Sequence, residues 1–260
     1  MAGIMAVMAN NVLPVNLSYT APDFVSSGLQ VYYNPEDPAS YPGTGSTLTD
    51  LSANGYDATI HNSPTHSTNS FTLNGTNNYI SSPNMVSSFN STTAFTVEIW
   101  YSPNYTVQGE GATVMSETGT ATPNVNWHYS LFEHRKAPFG SLSYDYAGIW
   151  TGSLTAVNPP GTFANLVWRH QTLTYDGTNG RIYTNGTLGR TVSLSRNTPW
   201  NDPNNYGYYL QIGAPDFTQQ SGAGNNYFTG SVGIMRAYNR ALSDAEVLSN
   251  YNNAKSIYGL

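Results

Sequence analysis

Tyr227-Phe228-Thr229-Gly230-Ser231-Val232-Gly233-Ile234-Met235-Arg236-Ala237-Tyr238-Asn239-Arg240-Ala241-Leu242-Ser243-Asp244-Ala245-Glu246-Val247 reads as a strand followed by a capped helix start. The strand offers aromatic and apolar residues to both faces, as a central strand does. Ser243 and Glu246 form an S-x-x-E capping box, which satisfies the free amides of a first helical turn. Val247, Tyr251, Ala254 and Tyr258 follow at helical spacing, so one stripe can pack inward.

Outward from this unit, the rest of the chain reads as strands. Strand-like runs fall at 28–33, 56–61, 70–73, 79–81, 95–102, 112–117, 127–133, 141–149, 166–175, 180–184, 188–194, 208–212 and 228–238, with turn signals between them. The only helix expected is 243–255, an imbalance that points to an all-β class. Asn185-Gly186 accepts the positive φ values of a tight hairpin, and Asn74-Gly75-Thr76-Asn77-Asn78 turns the chain between two short strands. In 95–102, Phe95, Val97, Ile99 and Tyr101 alternate with Thr96, Glu98 and Trp100, which predicts a strand covered on both faces or facing a groove on one.

At 260 residues the chain fits one large β domain that needs no metal or disulfide staple. Charged residues make up only 9%, and 20 Tyr with abundant Asn, Ser, Thr and Gly supply the polarity. The net charge is −6, and the nine basic residues form no stripe that could neutralise phosphates, which argues against nucleic acid. The absence of Cys excludes thiolate metal sites and thiol nucleophiles. Residues 1–9 are rich in Met and Ala, lack the cations of a signal peptide and are too short to cross a bilayer. We expect an extended arm over 1–23 that docks on neighbouring subunits, and a sandwich over 24–260.

Several ordered stretches carry a family likeness. They are Gly28-Leu29-Gln30-Val31-Tyr32-Tyr33, the loop Asn34-Pro35 to Gly45 with its following Asp50-Leu51-Ser52-Ala53-Asn54-Gly55 turn, the hairpin Phe71 to Ile80, the strand Phe95-Thr96-Val97-Glu98-Ile99-Trp100, and the pair Trp168 to Gly177 and Arg181 to Gly186. Together with the closing unit they resemble the concanavalin A-like lectin/glucanase superfamily, in its laminin-G-like jelly-roll branch. The resemblance implies an antiparallel two-sheet β-sandwich with one C-terminal helix. The 34–55 variant resembles domains common in virion proteins. Two positions depart from the pattern: Gly233 stands where relatives often carry an acid, and Asn74 and Asn78 replace the two carboxylates of a D-G-T-N-D hairpin.

The glucanases of this superfamily carry paired acids as E-x-D-x-x-E or E-x-D-x-E on one strand, and retaining cleavage needs two carboxyls about 5–5.5 Å apart. The sequence has no such spacing. Glu110 and Glu117 have opposite strand parity with Gly111 between them, and Glu98 stands alone, as a buried or groove-facing acceptor. No metal spacing links the five His, and His61 and His66 read as a chance pair. We therefore expect no catalysis.

Sugar recognition needs aromatic faces and amide or hydroxyl partners. The candidates are Trp127, His128, Tyr144, Asp145, Trp150, Trp200, Asn201 and Tyr206, with core filling as the competing role for the three Trp. Asp50, Ser52 and Asn54 offer alternating oxygens to calcium, with Asn34 and Asp37 upstream. Asx turns closed by their own side chains are the competing reading. No other cofactor is expected. The expected function is a virion surface or capsid component that meets other structural proteins or its own copies, with glycans as a further partner. A free extracellular lectin is the alternative, and a hydrolase with an unrecognised site a weaker one.

Overall fold

The computed structural model describes residues 24–89, 94–104, 112–118, 129–136, 143–150, 154–160, 164–194, 208–214 and 227–260. In chain order the strands are β1 (Leu29–Tyr33), β2 (Thr47–Leu48), β3 (Ala58–His61), β4 (Thr65–Ser67), β5 (Ser70–Asn74), β6 (Tyr79–Ser81), β7 (Phe95–Pro103), β8 (Ala112–Thr118), β9 (Tyr129–Lys136), β10 (Ser143–Trp150), β11 (Leu154–Ala156), β12 (Arg169–Tyr175), β13 (Asn179–Thr184), β14 (Thr187–Ser193), β15 (Tyr209–Ile212) and β16 (Thr229–Tyr238). A short helix α1 (Val86–Phe89) precedes β7. Helix α2 (Asp244–Ala254) and a 3₁₀ turn (Lys255–Tyr258) close the chain.

The strands form two antiparallel eight-stranded sheets. The first runs β14-β13-β12-β7-β16-β5-β4, with β1 also paired to β16; the second runs β11-β10-β9-β8-β15-β6-β3-β2. The core lies between them. Val31, Phe71, Val97, Ile99, Leu173 and Met235 from the first sheet meet Ile60, Ile80, Val114, Leu131, Phe132 and Leu210 from the second. This is the two-sheet antiparallel sandwich with one C-terminal helix that the sequence predicts.

Strand β7 shows how the period-2 pattern does this. Val97, Ile99 and Tyr101 enter the inter-sheet core, while Trp100 joins a separate cluster with Tyr32, Ile234, Ala254 and Tyr258 on the opposite face. All nine residues of β7 are buried, so the strand is covered on both sides. The second cover is α2. Its stripe buries Val247 and Ala254, and Tyr258 of the following turn is buried as well.

The capping box forms as predicted. Glu246 N–H donates to Ser243 Oγ at 3.4 Å and Ser243 N–H donates to Glu246 Oε2 at 2.8 Å. A cap of this kind stabilises by about 1 kcal/mol. Arg240 grips the same carboxylate with two N–H groups at 2.9 and 2.6 Å. At the far end of the helix packing, Asn185 and Gly186 both take positive φ. A Cβ on Gly186 would lie 3.0 Å from Leu248 and from Tyr251, so glycine lets the β13–β14 hairpin approach α2.

Some boundaries differ from the pattern reading. The 166–175 run begins as a strand only at Arg169, because Leu166 sits at φ +56° in a turn whose N–H donates to Pro103 O. The short strands β2, β4 and β11 and helix α1 escape the pattern, being only two to four residues long. The 1–23 arm lies outside the described residues.

Candidate functional site

Core membership fixes which side chains of the second sheet face outward. Ile60, Ile80, Leu210 and Ile212 point to the core, so their strand neighbours Thr59, His61, Tyr79, Ser81, Tyr209 and Gln211 face away. Register then aligns a row of small polar side chains across neighbouring strands. Thr59 of β3 is opposite Ser81 of β6, Ser81 opposite Gln211 of β15, and Gln211 opposite Ser116 of β8. Along this row Thr59 is exposed, Ser81 is half-buried, and Gln211 and Ser116 are buried.

An aromatic row runs beside it. His61 and Tyr79 stack at 4.0 Å with planes 7° apart, and Tyr227 lies 6.3 Å from Tyr79 at 48°. His61 Nε2 is 2.8 Å from Ser81 Oγ, which ties the two rows together. Burial lowers the His61 pKa and raises those of Tyr79 and Tyr227. Tyr209, half-buried, bounds the polar row on its other side. The Thr59 and Ser81 hydroxyls beside these ring faces form a partly exposed patch suited to a polyhydroxylated ligand.

On the far side of the sandwich, under α2, lies a buried polar cluster centred on Glu98. Arg236 Nη1 donates to its Oε1 at 2.5 Å, Asn250 Nδ2 lies 3.2 and 3.0 Å from its two oxygens, and His170 Nε2 is 3.3 Å from Oε2. Register explains the convergence, since Glu98 is paired across β7 with Thr172 on one side and Arg236 on the other. The Arg236 guanidinium packs against the rings of both Phe24 and Tyr32, at 4.7 and 4.8 Å. Asn250 also accepts from Val25 N–H at 2.9 Å and donates to Tyr238 Oη at 3.0 Å. Trp100 stacks on His170 at 4.9 Å and on Tyr258 at 4.5 Å, roofing the cluster.

Burial raises the cost of charge on Glu98, but the Arg236 charge and the His170 hydrogen bond outweigh it and hold the carboxyl at about 2. Glu98 and Arg236 have no solvent exposure. The partners gathered around this carboxylate are a guanidinium, an imidazole and a carboxamide. Such an arrangement pins β7, β12, β16 and α2 together; it is not a pair of acids flanking a bond. The expectation of Glu98 as a buried acceptor holds, and nothing in the linear pattern marks Arg236, His170 and Asn250 as its partners.

The 50–54 oxygens serve their own turns. Asp50 accepts from Tyr32 N–H and Ser52 N–H at 2.9 Å each and from Tyr56 N–H at 3.0 Å, and Ser52 Oγ is 2.6 Å from its Oδ2. Asn54 turns its NH₂ toward the carbonyl of Gln30 at 3.0 Å. Asn34 and Asp37 likewise accept from Glu36 N–H and Ala39 N–H. These bonds favour the reading of Asx turns closed by their own side chains. Among the described residues no group of three His, Asp or Glu is placed to hold a metal.

Both departures from the family pattern have a local cause. A Cβ at Gly233 would run into the Tyr258 hydroxyl, which accepts from Ile234 N–H at 2.8 Å. Asn74 Oδ1 accepts from the amides of Thr76, Asn77 and Asn78, and Asn78 Nδ2 donates to Asn62 O at 2.8 Å, a bond a carboxylate could not make.

Of the aromatic candidates, Trp127, His128, Trp200, Asn201 and Tyr206 lie outside the described residues. Tyr144 and Asp145 pair with Arg135 and His134 on β9, whereas Trp150 closes the opposite end of β10, opposite Leu154. Six residues of strand separate Tyr144 from Trp150, about 20 Å along β10. The Trp150 end is shared with Tyr129, Thr118 and Tyr209, where β9, β8 and β15 begin or end. His61 and His66 sit on different sheets and are no pair, His66 Nε2 being 3.0 Å from Pro35 O. The outward row that the candidate set missed was present as alternation, in Thr59-Ile60-His61, Tyr79-Ile80-Ser81 and Tyr209-Leu210-Gln211-Ile212.

An antiparallel two-sheet sandwich closed by a C-terminal helix defines a lectin-like class of fold. A laminin G family model, described as the concanavalin A-like lectin/glucanases superfamily, matches residues 74–248, and the chain belongs to that family. Solved structures share the fold. Trypanosoma rangeli sialidase in complex with sialic acid is 17% identical with a TM-score of 0.61, over 90% of this chain and 34% of the sialidase. The chain thus spans about a third of that protein's length. Domain 4 of AbnA, a GH43 extracellular arabinanase from Geobacillus stearothermophilus in complex with arabinotriose, is 15% identical with a TM-score of 0.53, over 86% of this chain and 98% of the domain. The binding domain of Paraclostridial Mosquitocidal Protein 1 is 17% identical with a TM-score of 0.55, over 87% of this chain and 52% of that one. At these identities the likeness is one of fold. No curated protein matches the chain in sequence.

Proposed function

We propose that this chain is a non-catalytic, glycan-binding sandwich that serves as an adhesion or structural component. One observation carries the reading: the partly exposed patch of Thr59 and Ser81 beside the rings of His61, Tyr79 and Tyr227 on the outward face of the second sheet. Such a patch offers side-chain hydroxyls as partners for sugar hydroxyls, and rings for the apolar faces of sugars. Family membership and the fold shared with a sialidase and an arabinanase domain support it. The absence of catalysis is supported by Glu98, the acid of the central strand, which is wholly buried and neutralised by Arg236.

Placement on a virus particle rests on the 34–55 loop and on the proposed docking arm 1–23. A glycan array probed with the full chain tests the glycan reading, and a complete absence of sugar binding refutes it. Mass spectrometry of purified particles carrying the full chain, compared with a 1–22 deletion, tests the placement. Loss of incorporation with unchanged folding is expected. Undiminished incorporation refutes the docking role of the arm.

A further inference from the structure

We propose that the stretch 13–20 of one copy adds as an antiparallel strand to the open edge of β14 on a second copy. The inference rests on the docking reading of the arm given above, and it names the surface and the occupant.

A strand at the end of a sheet presents unpaired N–H and C=O groups, and proteins usually cover or shorten it. Here β1 is covered on its side away from β16: Leu51 N–H donates to Tyr32 O at 2.8 Å and Asn54 Nδ2 donates to Gln30 O at 3.0 Å. The terminal strands β4, β11 and β2 are only two or three residues long. Strand β14 has seven residues, and among the described residues it pairs with β13 alone. Gly189 and Val192 are half-buried and the other five are exposed. Pro160 packs at the Gly189 bulge, which leaves Arg190 to Ser193 as the continuous open run. Leu194 N–H donates to Thr178 O on the β13 side, so by alternation the amides of Thr191 and Ser193 point away from the sheet. Val192 packs toward the core, so the side chains of Thr191 and Ser193 lie on the α2 face.

Two exposed leucines adjoin this edge on that face. Leu188 is 41% exposed and Leu248 45%. Leu188 stands opposite Tyr183, whose ring packs with Val247 under α2, and Leu248 reaches the Gly186 turn just before it.

The arm has the composition to fit. Residues 1–22 hold no Asp, Glu, Lys or Arg, and the one charge of β14, Arg190, therefore meets no like side chain. Leu13, Val15, Leu17 and Tyr19 alternate with Pro14, Asn16, Ser18 and Thr20, the period of a strand with one apolar face. Opposed residues of an antiparallel pair share a face. With the odd-numbered amides toward Thr191 and Ser193, the apolar side chains fall on the α2 face and cover Leu188 and Leu248. Pro14 then turns its missing N–H outward, where a strand tolerates proline and where it stops a further strand from adding.

Reach assigns the arm to a neighbour. Phe24 packs on Tyr32 of β1, on the side of β16 away from β7 and β14. Register carries Arg236 through Glu98, Thr172 and Tyr183 to Leu188, and an added strand lies one spacing further. Five spacings amount to about 24 Å. Four residues of chain, from Phe24 back to Thr20, reach at most about 14 Å. The stretch as a whole falls short of the edge of its own chain.

Sedimentation velocity over a range of concentrations compares the full chain with the 1–22 deletion, Leu17→Asp and Thr191→Pro, with circular dichroism checking that each folds. Hydrogen exchange read by NMR follows the deletion variant with and without a synthetic peptide of residues 10–22. Leu17→Asp lies in the arm, so it reports even if Thr191→Pro fails to fold. The expected result is a full chain that self-associates and three monomeric variants. The peptide should slow exchange at Thr191 and Ser193 by at least about tenfold. Self-association that is lost on deletion yet unchanged in Leu17→Asp and Thr191→Pro would overturn the β14 surface and leave the arm as a dock. Peptide protection confined to other strands would do the same. A full chain that stays monomeric, with no protection by the peptide, would overturn the contact between copies, and the incorporation test above reads docking on other proteins separately.

Discussion

Replacing Glu98 with Gln keeps the shape of the side chain and removes its charge, and so isolates what the buried ion pair contributes. The Arg236 guanidinium, fully buried against Phe24 and Tyr32, cannot shed its proton and is left without its counter-ion. Breaking a buried pair in this way costs about 3–5 kcal/mol. The titration gives the same order. A carboxyl held at about 2 instead of its ordinary value near 4.3 corresponds to roughly 3 kcal/mol. For a domain of this size that lowers the melting temperature by on the order of 10 °C. Because the folded pKa is depressed, the contribution is fully present above the unfolded value and is lost as pH falls through the folded one. The stability gap between wild type and Glu98→Gln should therefore be widest above about pH 4.3 and close toward about pH 2. Urea titrations followed by far-UV circular dichroism at several pH values measure this. The double variant Glu98→Gln/Arg236→Met removes both charges and should recover part of the loss. A single-variant penalty below about 1 kcal/mol, or a gap that does not narrow in acid, would refute the account of the cluster as a structural pin.

Two further outcomes follow from the local geometry. Gly233→Asp drives a side chain into Tyr258 and breaks the bond to Ile234 N–H, so it should cost about 3 kcal/mol or more in chemical denaturation. Combined with Tyr258→Ala the penalty should be less than additive, and strict additivity would show that the two residues do not collide. Millimolar calcium should move the melting temperature by less than about 1 °C, because a metal stabilises only where the folded state binds it. A rise of several degrees would mean that the Asp50 turn opens to coordinate the ion.

The sandwich was legible because its information is periodic. Alternation marks β7 as a strand covered on both faces, and the capping box marks the start of α2 to the residue. Strands of two or three residues such as β2, β4 and β11 carry too little pattern to register. The candidate face was harder. Aromatic clusters draw attention in a linear reading, yet Tyr144 and Trp150 are carried to opposite ends of β10. Thr59, Ser81, Gln211 and Ser116 are unremarkable one by one and become a row only through register across four strands. The partners of Glu98 were hidden for the same reason: His170, Arg236 and Asn250 are 72 or more positions away along the chain and meet it only through sheet pairing and helix docking.

The Asn250 side chain joins the beginning of the sandwich to its end, since its oxygen accepts from Val25 N–H while its own helix leads directly into the closing 3₁₀ turn. Phe24 and Tyr258 consequently leave the same patch of the first sheet. A domain whose entry and exit sit side by side can be spliced into a surface loop of a host protein, or circularly permuted through a short bridge, without either end crossing the body of the fold.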